Sequence, residues 1–96
     1  MAFKFIELDK IAVKGKKEGI KVYTVIDGKF NYLQHDLFLK LYKERKWLEA
    51  NKLLNKCIKI NPILEYYYNM MKERVADLKV NDPGEDWDQV YRAKSK

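Results

Sequence analysis

The chain has 96 residues, enough for one small domain with a modest core, and its 47% hydrophobic and 35% charged residues are those of a folded chain rather than a disordered one. Its formal charge of +6 is spread out, with seven lysines against four acids in residues 1–29 and thirteen basic against ten acidic residues in 30–96. That distribution argues for a solvated surface and against the one-faced basic patch of a nucleic-acid binder.

Residues 1–29 read as a terminal β-hairpin. Phe3, Phe5, Leu8, Ile11 and Val13 make one β-rich run, and Ile20, Val22 and Val25 alternate with Lys21, Tyr23 and Thr24 in the period of a half-buried strand. Between them, Lys14-Gly15-Lys16-Lys17-Glu18-Gly19 offers two glycines for turn positions and three ammonium groups, so the strands are expected to close as an antiparallel hairpin with a cationic tip. An isolated hairpin is marginal in water, so Phe3, Phe5, Val22 and Val25 need a sheet or helix to cover them.

Residues 30–80 read as three amphipathic helices. Leu33, Leu37, Leu41 and Tyr42 fall at helical spacing, as do Ala50, Leu53, Leu54, Cys57 and Ile58, and then Leu64, Tyr67, Tyr68, Met71, Val75 and Leu78. Glu44-Arg45-Lys46-Trp47 joins the first two without glycine or proline, whereas Asn61-Pro62 reads as an N-cap before a proline at the first helical position. Short connections predict a helical hairpin with a third helix laid against it. On the third helix Tyr66 and Met70 share a face apart from Tyr67, Tyr68 and Met71. They either form a partner-docking surface or lie beneath the hairpin or tail.

Residues 81–96 form the tail. Trp87, Val90 and Tyr91 follow the acidic Asp82, Glu85, Asp86 and Asp88 at the spacing of a short helix, with Trp87 expected to dock on the helical core. The fold class is therefore α+β: an N-terminal antiparallel hairpin, about three helices and a short helical tail.

The single cysteine excludes an internal disulfide, and Cys57 belongs to the apolar face of its helix. His35, the one histidine, has no Cys/His spacing around it, so no metal site is read in this chain. No apolar run approaches the roughly 18 to 20 residues of a membrane span, and the start lacks a cleaved-signal pattern, so the chain is expected in the cytoplasm, with any membrane anchor of the parent protein upstream.

Two resemblances follow from these residues. Ala50, Leu54, Cys57 and Pro62 look like the second helix of a tetratricopeptide repeat, a unit that buries its apolar face only with caps or a neighbour. The Val13-Lys14-Gly15-Lys16 turn between two apolar runs resembles the end of a class III adenylate/guanylate cyclase catalytic domain. Tyr42, Trp47, Ala50, Pro62, Tyr66 to Tyr68, Trp87 and Asp88 resemble the helical tail that follows that domain in a bacterial subfamily.

The cyclase resemblance implies that Lys14 reaches the triphosphate of the nucleotide, that the upstream catalytic domain is the chain's partner, and that the whole enzyme converts ATP to cyclic AMP and pyrophosphate with Mg or Mn. The family's metal-binding aspartates, base-selecting residues and transition-state asparagine and arginine lie upstream of the matched region. The isolated chain is accordingly expected to be inactive and to hold no cofactor. The competing expectation is a free-standing tetratricopeptide-like module that binds a protein partner. An uncovered hairpin edge also invites pairing with a second copy, giving a homodimer.

Overall fold

A computed structural model describes residues 3–12 and 16–92. The elements run β1 (Phe3–Ala12), β2 (Ile20–Asp27), α1 (Tyr32–Lys43), α2 (Trp47–Ile60), a 3-10 turn (Pro62–Leu64), α3 (Glu65–Val80) and β3 (Tyr91–Arg92). The expected α+β class, with a hairpin followed by three helices, is present. The chain divides into two compact units, Met1–Lys29 with Glu85–Lys96, and Phe30–Gly84.

In the sheet unit the strand order is β2-β1-β3. β1 and β2 pair antiparallel from Phe3 opposite Asp27 to Ile11 opposite Ile20, with a bulge at Leu8 between Glu7 and Asp9. Residues directly opposite share a face, so Phe3, Phe5 and Glu7 stand with Asp27, Val25 and Tyr23, while Lys4 and Ile6 stand with Ile26 and Thr24. Ile6 and Ile26 are buried, whereas Phe3, Phe5, Tyr23 and Val25 are all exposed, Phe5 to 76%. Of the four side chains expected to need a cover, Phe3, Phe5 and Val25 thus lie open and Val22 is half-buried.

The tail departs from the expected short helix. Tyr91 and Arg92 pair in parallel with Ile11 and Ala12 of β1. Helix is prevented locally: Gln89 has φ 68°, in the left-handed region. The Asp88 carboxylate accepts the Val90 N–H at 3.0 Å, and the Trp87 indole donates to the Val90 carbonyl at 2.9 Å. These bonds offer the backbone an alternative to helical pairing. Trp87, expected on the helices, belongs instead to the sheet unit.

In the helical unit α1 packs on α2 and α2 on α3. Asn31 caps α1, its side chain accepting the Gln34 N–H at 3.1 Å. α1 ends in a Schellman motif: Arg45 N–H donates to Tyr42 O and Lys46 N–H to Leu41 O, with Arg45 at φ 61° in the place glycine usually fills. This turn explains how Glu44–Trp47 reverses the chain without glycine or proline. Asn61 precedes Pro62 as expected, but its amide does not cap the next turn. It bonds both backbone groups of Asn31, accepting N–H at 2.8 Å and donating to the carbonyl at 3.0 Å, and so joins the start of α1 to the end of α2.

Ala50, Leu54 and Cys57 on α2, and Tyr68, Met71, Val75 and Leu78 on α3, are buried as their spacing predicts. α1 differs, because His35, Phe38, Leu39 and Tyr42 are buried while Leu33 is 80% exposed and Leu37 is also exposed. The aromatic stripe displaces the leucines. Phe38 meets Tyr68 edge-on at 6.5 Å between centroids, Tyr42 meets Trp47 at 5.8 Å, and the His35 Nδ1 lies 2.9 Å from the Tyr68 hydroxyl. Aromatic side chains bury about 150–250 Å² each and gain edge-to-face contacts besides, so this face outcompetes a leucine face.

Candidate functional site

Residues 16–19, the described part of the loop between β1 and β2, and the Trp87–Arg92 segment form one constellation within the sheet unit. Arg92 grips Asp88 in a bidentate pair, Nη2 to Oδ2 at 2.7 Å and Nη1 to Oδ1 at 3.1 Å, and the same Nη2 donates to the Lys17 carbonyl at 3.0 Å. Lys10 Nζ reaches the Asp88 carbonyl at 3.5 Å. The Arg92 guanidinium, followed by the Val90 N–H, holds the Asp88 carboxyl down at about 2. Asp88 in turn raises Arg92 above its ordinary value, chiefly through the same hydrogen bonds.

Gly19 completes the brace. A Cβ at this position would sit 2.5 Å from Val90 Cγ2 and 3.2 Å from Lys10 Cγ, so only glycine lets the loop close on buried Val90. Beside it is an open depression of about 460 Å³ lined by Lys16, Lys17, Glu18, Gly19 and Ile20. Chemically, this is a glycine-containing loop with exposed ammonium groups, fixed by Arg92 and Val90. The exposed ammonium groups of Lys16 and Lys17 can pair with an anion there. Lys14, the residue singled out for phosphate contact, lies outside the described residues.

The other named positions are on the helical unit. Tyr66 is 93% exposed and Met70 is 40% exposed, on the α3 face opposite buried Tyr68 and Met71. A separate shallow groove of about 250 Å³ is lined by Leu37, Leu41, Glu49, Lys52, Leu53 and Lys56 of α1 and α2.

Interior polar groups in this unit are paired rather than poised for chemistry. Burial pushes the Cys57 thiol up to about 11, and its Sγ donates to the Gln34 carbonyl at 3.6 Å, so it is a poor nucleophile. Burial also raises Tyr68, whose hydroxyl faces His35 Nδ1 and accepts from Asn61 at 3.4 Å. Among the described residues no group of three or more His, Cys, Asp or Glu side chains could hold a metal ion, and no helix is long and apolar enough to cross a membrane.

Sequence reasoning did not find the Asp88–Arg92 brace. Its one local signal is an acid and a base at i, i+4, a spacing that reads equally as an ordinary helical pair. Comparison of the chain with protein families, with curated proteins and with solved structures finds no match.

Proposed function

We propose that this chain is the closing part of a class III nucleotidyl cyclase. Its hairpin would complete the catalytic sheet, its helices would form a structural or regulatory appendage, and Lys14 would contact the nucleotide triphosphate. One observation carries the reading. The two ends of the resemblance, the lysine-glycine turn and the Trp87-Asp88 closure, are some 70 residues apart in sequence, yet the tail braces the loop that follows the turn through Arg92 and Val90.

The exposed Phe3, Phe5, Tyr23 and Val25 agree with a hairpin that finishes its core against an upstream catalytic domain. By the resemblance, the whole enzyme makes cyclic AMP and pyrophosphate from ATP with Mg or Mn. The described residues offer no ligand set for those ions, so no metal step is assigned to this chain. The test is kinetic. In the intact enzyme Lys14→Ala is expected to raise KM for ATP or lower turnover, and this chain alone is expected to form no cyclic nucleotide. Unchanged kinetics in the variant, or cyclic AMP formed by the 96 residues alone, would sink the proposal.

A second reading rests on the α1–α2 groove. Leu37, Leu41 and Leu53 with Lys52 and Lys56 fit a tetratricopeptide-like module that takes a partner helix. Leu37→Asp would abolish such binding without touching cyclase kinetics, which separates the two readings.

A further inference from the structure

We propose that β2 is a self-complementary edge through which two copies of this chain join their sheets, antiparallel, about a twofold axis at Thr24. The inference does not depend on the cyclase reading.

β2 is the outer strand of the sheet, and its far edge pairs with no other strand among the described residues. It is eight residues long and carries no proline. The bulge in this hairpin lies on β1, so the β2 edge is not twisted away by one of its own. Edges of this kind are templates for another strand unless something blunts them. On the opposite side β3 covers only Ile11 and Ala12, and the stretch of β1 that it leaves uncovered, residues 3–10, is interrupted by the bulge at Leu8.

The register follows from charge and face. About a twofold axis at Thr24, Lys21 of each copy stands opposite Asp27 of the other, Tyr23 opposite Val25, Val22 opposite Ile26, and Thr24 opposite Thr24. Opposite partners then lie on the same face of the sheet, as antiparallel pairing requires. The exposed Phe3, Phe5, Tyr23 and Val25 of the two copies form one continuous surface. A shift of two residues either way loses both ion pairs: centring on Tyr23 puts Lys21 opposite Val25, and centring on Val25 puts Asp27 opposite Tyr23. The pairing therefore selects one register by charge complementarity.

Within its own hairpin Lys21 stands directly opposite Lys10, a like-charge pair that a sheet disfavours. Asp27 of a second copy would place an opposite charge directly across from Lys21, where β1 places Lys10. This also makes Lys21→Asp a clean probe, because it places an acid opposite Lys10 and favours the hairpin while opposing Asp27 of the second copy.

Sedimentation equilibrium on the 96-residue chain tests this. The expected result is a monomer–dimer equilibrium that weakens on the order of tenfold in Lys21→Asp and in Asp27→Lys, since each dimer loses two cross-strand pairs and gains two repulsions. Recovery is expected in the Lys21→Asp/Asp27→Lys double variant. Thr24→Cys is expected to form a disulfide-linked dimer on mild oxidation, because directly opposite residues have Cα atoms about 4.5–5.5 Å apart, within disulfide reach. Asp27→Cys, not opposite itself, is not expected to. Monomer at all concentrations up to millimolar would overturn the proposal. So would a dimer indifferent to the charge swap, or one that cross-links no better through Thr24→Cys than through Asp27→Cys.

Discussion

Trp47 and Asp82, 35 residues apart in sequence, are joined by a 2.8 Å hydrogen bond from the indole N–H to Oδ2. The other carboxylate oxygen accepts from Arg45 Nη1 and from the Gly84 backbone, each at 2.8 Å. One side chain just beyond α3 thus closes the turn between α1 and α2. The Gly84 N–H, then the Trp47 indole and Arg45, hold the Asp82 carboxyl below its ordinary value. The Arg45 contact ties the side chain of this left-handed residue to the segment beyond α3.

Asp82→Ala is expected to lower the melting temperature more than Asp82→Asn, which keeps one oxygen acceptor. In a double-mutant cycle with Trp47→Phe the two losses should be less than additive, because each variant removes the same bond. Fully additive losses in thermal unfolding would mean that the bond contributes nothing to stability.

The loop brace should be acid-sensitive in a defined direction. Asp88 titrates at about 2 in the folded chain, below the ordinary value of about 3.9. Its contribution is therefore fully present above pH of about 4 and is lost as the pH falls through about 2. In a Trp47→Phe background, Trp87 is the single indole and lies beside Val90. Its emission should change across that window, and Asp88→Asn should abolish the change.

Gly19→Ala should destabilise the sheet unit by about 1–3 kcal/mol, the usual cost of forcing a methyl group into a filled site. The new Cβ would meet both Val90 methyls, at 2.5 and 3.1 Å. Adding Val90→Ala opens that space, so Gly19→Ala should cost clearly less in the Val90→Ala background than in the parent chain. Denaturant unfolding of the parent chain and the three variants decides it.

Two leucines should behave oppositely. Leu54 is fully buried, so Leu54→Ala should cost about 2–5 kcal/mol. Leu33 is largely exposed, so Leu33→Ala should stay within about 0.5 kcal/mol. A large loss at Leu33 in chemical denaturation would place a covering surface over this face of α1.

Periodicity by itself determined the α+β class, the hairpin, the three helices and most of the α2 and α3 core, because a strand repeats every second residue and a helix about every 3.6. It did not decide which face of α1 is buried. Leu33, Leu37 and Leu41 satisfy helical spacing as well as His35, Phe38 and Tyr42 do, and the choice depends on what Tyr68 and Trp47 present to α1.

The tail's helical spacing was overridden in the same way, by the bonds of Asp88 and by pairing with Ile11 and Ala12 some 80 residues away. Of the candidate site, the lysine-rich loop was legible in the sequence, since its composition is local. Its bracing by Val90 and Arg92 was not. Contacts between residues distant in sequence leave no periodic trace, so only the tertiary structure decided them.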